Sequence, residues 1–166
     1  MCRQPADALI DRHRPRTDGH PVMLGEEKHV ILLVEDDKFD RELFRRGFAD
    51  RQDCQIDCAG DGEEALSYLR SHPQPSLIVL DLNMPRMDGK ELLRALKADR
   101  TLRGIPAIVL STSGEAADVN ACYDLLANAY AVKPNSPEEL ARFTTRLEEF
   151  WLREACLPRT SANEHH

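Results

Sequence analysis

An apolar run with no polar alternation must be covered on both sides, and HVILLV (29–34) is such a run at strand length. It is β-branched and reads as a strand buried on both faces, which fits a parallel sheet packed between helices. SLIVLD (76–81) is more apolar still, and PAIVLS (106–111) carries its proline only at the first position, where a strand tolerates it. CQIDCA (54–59) and AYAV (129–132) are shorter strands. Helical patterns fall between them. Residues 37–50 place Phe39, Leu43, Phe44, Gly47 and Phe48 at helical spacing. Residues 61–72 turn Ala65, Leu66 and Leu69 inward; 89–99 and 115–126 follow. A long helix over 136–156 closes the series, with Ser136 as N-cap, Pro137 at N1 and Glu139 completing a capping box. Five strands alternating with five helices imply right-handed crossovers and a doubly wound α/β domain.

The 166 residues suffice for one such domain with tails. Residues 1–28 lack periodicity and read as a flexible N-terminal arm, 29–150 as the domain, and 151–166 as an extension of the last helix with a tail. A net charge of −7 argues against a nucleic-acid-coating surface. No apolar run approaches the roughly 20 residues that span a bilayer, and the N-terminus has no signal-peptide core. The five cysteines include no C-x-x-C pair, which favours reduced thiols and a cytoplasmic location.

In an open parallel sheet, chemistry sits beyond the carboxyl ends of the strands. There this chain carries Glu35, Asp36 and Asp37 after the first strand, Asp81 after the third, Ser111 and Thr112 at the fourth, and Lys133 with Pro134 after the fifth. Crowded carboxylates repel, and a hard divalent cation relieves them. Mg²⁺ is served by one or two carboxylates together with waters and a phosphate. Lys133 supplies a point charge for phosphoryl oxygens and Ser111 a hydroxyl. Asp81 is thus a candidate nucleophile for an aspartyl-phosphate. The plainer readings are a solvated helix start for Glu35–Asp37, a turn residue for Asp81 and a surface lysine for Lys133. A flavin-binding domain would need a phosphate loop where Glu-Asp-Asp stands. A phosphatase of the haloacid-dehalogenase type would need an acid where Asn83 stands.

The segments ILLVEDD, LIVLDLNMPRMDG, IPAIVLSTS and ANAYAVKP, in that order, resemble the four signature blocks of a response-regulator receiver domain of the chemotaxis-regulator type. The resemblance implies a flavodoxin-like receiver fold with strand order 2-1-3-4-5. It implies that Asp81 accepts a phosphoryl group from a sensor histidine kinase, with slow self-dephosphorylation rather than enzymatic turnover. It also implies that Asp36 and Asp81 bind Mg²⁺, with Asn83 adding its main-chain carbonyl and Glu35 acting through water. Ser111 and Lys133 would contact the phosphoryl oxygens, Ser111 and Tyr130 would form the switch, and the Lys133–Pro134 bond would be cis.

FWLREACLPR (150–159) and STS (111–113) resemble the single-domain regulators that partner phytochromes, which implies a phytochrome-type kinase and a homodimer. A relay intermediate or a docking module for another partner is the alternative. The dimer has a geometric argument too. A 21-residue helix spans roughly 30 Å and a five-residue strand about 17 Å. Phe150, Trp151 and Leu152 then overhang the sheet and are expected at the interface. The competing expectation is that the helix ends early and the tail folds back.

Overall fold

The computed structural model describes residues 28–158, so the expected N-terminal arm lies, but for Lys28, outside the described residues. The elements are β1 (His29–Val34), α1 (Lys38–Arg46), β2 (Cys54–Ala59), α2 (Gly62–Ser71), β3 (Leu77–Leu80), α3 (Gly89–Ala98), β4 (Ala107–Ser111), α4 (Ala116–Asp124), β5 (Ala129–Val132) and α5 (Pro137–Glu148). A π-helical segment, Glu149–Glu154, continues α5. The strands are all parallel in the order β2-β1-β3-β4-β5, as the receiver resemblance implied.

Pleating divides the apolar runs between two cores. Ile31 and Leu33 of β1, with Leu77 and Val79 of β3, face a core completed by Phe44 of α1, Phe48 just after it and Leu147 of α5. Leu32 and Val34, with Ile78 and Leu80, face the opposite core, with Ala65, Leu92, Leu93, Leu96 and Cys122 from α2, α3 and α4. Most of the strand residues of β1 and β3 are therefore fully buried, which is what uninterrupted apolar runs required. Cys54, Cys58, Cys122 and Cys156 are free, and burial pushes the Cys54 thiol up to about 12.

Most predicted boundaries hold to within a residue or two. Asp37, Asp61, Asp88 and Ser136 each cap a helix by accepting from the backbone N–H three residues on. The capping box falls at Asp88 and Glu91 of α3. At α5 the Glu139 carboxylate reaches back one residue further, to the Asn135 N–H at 3.3 Å, so the box expected there does not close. α1 ends at Arg46, earlier than predicted, as its bonds shift to three-residue turns at Phe48 and Ala49. Gly47 stands at that point because α5 comes so close: a Cβ there would lie 2.2 Å from Thr144 Oγ1.

The largest departure is the last helix. It does not run on as an α-helix to 156 but widens to π geometry after Glu148. In an α-helix, Leu147 and Leu152 would point roughly 140° apart. The i→i+5 spacing of a π-turn brings them to one side, and both are buried in the same core. Charge acts in the same direction. Glu148 is buried and pairs with Arg51 and with Arg153, five residues on, whose guanidinium also meets Asp53 at 2.7 Å. Leu152, expected at an interface, is thus covered by its own domain. Trp151 is half-buried against the same core, and Phe150, edge-on to Trp151, remains 54% exposed.

Leu152→Ala is therefore expected to cost about 2–3 kcal/mol in urea unfolding, and Phe150→Ala less than about 0.5 kcal/mol. Equal, small effects would show that the π segment does not belong to the cooperative unit.

Candidate functional site

The parallel sheet delivers its polar residues to one edge. The Asp81 N–H donates to the Val34 carbonyl at 3.0 Å, so β3 keeps its pairing with β1 one residue past its last ladder position. Glu35 N–H does the same to Ala59 at 3.0 Å, and Lys133 N–H to the Ser111 carbonyl at 2.8 Å. The backbone thus fixes Glu35, Asp81 and Lys133 before their side chains interact. Asp81 is then oriented locally: the Leu82 N–H donates to its Oδ1 at 2.7 Å.

Glu35, Asp36 and Asp81 each offer a carboxylate oxygen within 4.8 Å of the others. Glu35 and Asp81 are buried and Asp36 is exposed. The Lys133 ammonium faces the group, donating to Glu35 Oε2 at 2.6 Å, Asp40 Oδ2 at 3.0 Å and Asp81 Oδ2 at 3.3 Å. Burial raises the Glu35 carboxyl above its ordinary value, against the pull of Lys133. Burial alone would disfavour the Lys133 ammonium, but Glu35 first, then Asp40 and Asp81, outweigh it and hold the lysine firmly protonated. Three hard oxygen donors with an open side at Asp36 suit a divalent cation. Glu35 Oε2 is committed to Lys133.

Asp40 is a site residue that sequence reasoning missed. It lies one helical turn beyond Asp36, in the first turn of α1, and that i, i+4 spacing at a strand-to-helix junction was the available signal. Ser111 is fully buried, and its Oγ accepts from the Ser113 N–H at 3.4 Å. Tyr130 is half-buried and donates to the Ser113 carbonyl at 2.8 Å. Ser113 also donates to Asp118 at 2.6 Å, and Asp118 accepts from Lys90 at 2.6 Å. Lys90 and then Ser113 hold the Asp118 carboxyl below its usual range. The loop after β4 is thereby tied to α3, α4 and β5 at once, a connection that no motif announced. Asn83 is exposed in the turn after Asp81. All peptide bonds among the described residues are trans, Lys133–Pro134 included, so the expected cis bond is not present. X–Pro bonds favour trans by about 0.5–1 kcal/mol where no turn demands otherwise.

Beside the carboxylates lies a cavity of about 260 Å³ between α1 and α5. Glu35, Asp40 and Lys133 form its polar wall, and Phe39, Leu43 and Leu140 its apolar one.

Known proteins resemble this chain in sequence and fold. Response regulator Rcp1 of Synechocystis sp. (strain ATCC 27184 / PCC 6803 / Kazusa) is 38% identical over 136 residues, covering 78% of this chain and 92% of that protein. The crystal structure of the phosphorylated cyanobacterial phytochrome response regulator RcpA superposes with a TM-score of 0.76 at 40% identity, over 79% of this chain and 99% of that one. The Mn²⁺-bound form of Rcp1 gives a TM-score of 0.74 at 37% identity, over 79% and 99%. The model of the response regulator receiver domain matches residues 31–144, and this chain belongs to that family.

Proposed function

We propose that this protein receives a phosphoryl group on Asp81 from a phosphohistidine of a sensor histidine kinase, and that the kinase is of phytochrome type. The observation that carries the reading is the convergence of Glu35, Asp36 and Asp81 within 4.8 Å, with Lys133 facing them, at one end of a parallel sheet. The similarity to RcpA and Rcp1 supports the choice of kinase. The exchange belongs in the cytoplasm, where ATP charges such kinases. Among the described residues no helix is long and apolar enough to cross a membrane.

In the transfer, an Asp81 carboxylate oxygen bonds to phosphorus as the P–N bond to the donor imidazole breaks. Burial strips water from Asp81 and the Leu82 N–H fixes its rotamer, so the nucleophile is oriented in advance. Asp36, Asp81 and the Asn83 main-chain carbonyl would hold Mg²⁺, with Glu35 one step removed through water, and the ion would supply positive charge for the phosphoryl oxygens. Lys133 adds a fixed positive charge on the opposite side. Ser111 is one hydrogen bond from Ser113, and Ser113 is one from Tyr130. A shift of Ser111 toward the phosphoryl group is therefore passed to Tyr130 on β5. We further propose a homodimer in which Phe150 and the exposed edge of Trp151 meet a second copy; the surface left bare by the π segment supports this.

A small phosphodonor with Mg²⁺ should label the protein once, at Asp81, and Asp81→Asn should remove the label. Label persisting on another residue of that variant would overturn the assignment.

Lys133→Ala leaves three carboxylates without their counter-charge. In EDTA it should lose about 3 kcal/mol of stability, and millimolar Mg²⁺ should restore more stability to this variant than to wild type. Equal Mg²⁺ effects on the two proteins would show that Lys133 and the cation do not compensate the same charges.

Sedimentation at tens of micromolar should show a dimer, reduced to monomer by Phe150→Glu. A wild-type protein that stays monomeric with and without phosphorylation sinks the dimer.

A further inference from the structure

The turn between Asp81 and α3 contains a residue in the wrong conformation for its type. Arg86 has φ 62°, in the left-handed region that side chains other than glycine rarely adopt. Nothing intrinsic to arginine favours this, so surrounding contacts must hold it. Those contacts are specific. The Arg86 guanidinium pairs with Asp61 and, at 3.0 Å, with Glu64. Asp61 is fully buried and already caps α2 through the Glu64 N–H at 2.9 Å. A buried carboxylate with only a capping bond is under-compensated, and Arg86 supplies the missing positive charge. The neighbouring residue is held as well: the Gly62 N–H donates to the Met87 carbonyl at 3.1 Å. Met87 packs so tightly over Gly62 that a Cβ there would fall 2.5 Å from Met87 Cγ. Gly89 N–H closes the base of the turn on the Leu82 carbonyl at 3.0 Å.

The turn that carries Asn83 is thus clamped to the start of α2, and its charged contacts are those of Arg86 with Asp61 and Glu64. We propose that Arg86 and Asp61 are positioning residues that hold this turn in the one conformation from which the Asn83 main-chain carbonyl would serve the divalent cation. The inference rests on the metal site proposed above. Outer partners of metal ligands change affinity by about 10–100-fold when removed, and this pair acts on a ligand through three residues of backbone. The strained φ of Arg86 has a role under this reading: the pair keeps the turn in a conformation that the chain would not choose alone.

Calorimetric titration of the full chain with Mg²⁺ tests this. Arg86→Gly is the informative variant, because glycine adopts φ 62° freely and a loss of affinity cannot then come from backbone strain. Arg86 is half-exposed, so the substitution opens no core. It should weaken Mg²⁺ about tenfold. Asp61→Asn keeps the cap and the volume but removes the charge, and should weaken it similarly. Arg86→Lys restores the charge and should recover most of the affinity. Urea melts in EDTA verify that each variant is folded. If Arg86→Gly binds Mg²⁺ as tightly as wild type, the positioning role is wrong while the metal site stands. If wild type binds no Mg²⁺, or Asp36→Asn binds it equally well, the metal site itself is wrong and the positioning role falls with it.

Discussion

Lys133 is the residue on which the site depends. A sheet edge that gathers Glu35, Asp36, Asp40 and Asp81 is electrostatically unfavourable, and burial makes it more so by raising the local cost of each unpaired charge. One ammonium within 3.3 Å of three of these carboxylates lets the cluster persist inside a folded protein. It does not saturate them: Asp36 stays exposed beside Asp81. The site is therefore compensated enough to fold and left short of positive charge on one side. That residual deficit suits a divalent cation.

The sheet supplies the precision. Parallel pairing brings the carboxyl ends of β1, β3, β4 and β5 to one edge, and main-chain bonds at Glu35, Asp81 and Lys133 extend the ladder up to the charged cluster. Two apolar layers hold this frame from either side. Around the rim, polar clamps secure the loops: Arg86 with Asp61 beside Asp81, and Asp118 with Lys90 and Ser113 beside Ser111. The buried Glu148 with Arg51 and Arg153 repeats the device at the far end of α5, where it holds the π segment down. Asp61 and Glu148 are buried carboxylates that would be costly alone, and each is paired with a residue distant in the chain or on another turn.

Two-sided burial and the meeting of Asp81, Asp36, Glu35 and Lys133 at one edge were legible from the residues, and the strand order from the resemblance of the motifs to receiver domains. Uninterrupted apolar runs require two covered faces, and the topology of alternating strands and helices sends the residues after each strand to a common edge. The start of α5 was legible because a Ser before a helical pattern has one strong use, to accept the first free N–H groups. The partner of Lys133 on α1 was less so. Asp40 reads as an ordinary acidic residue in a first helical turn, and only the packing of that turn against β5 makes it a contact of the site.

The sequence by itself determined the fold class, because alternating strands and helices set it, and most of the charged side chains that meet at one sheet edge; the sheet order came with the resemblance of its motifs to receiver domains. Tertiary structure decided the rest. The capping box closed at α3 and not at α5, because Glu139 found the Asn135 N–H instead. Arg86 took a left-handed conformation because Asp61, twenty-five residues earlier, lies buried within its reach. The last helix changed pitch because Leu152 and Arg153 gain more from a core and a buried carboxylate than a regular α-helix gains from its own hydrogen bonds. Local pattern rules count neighbours along the chain, and each of these outcomes was set by a neighbour across space.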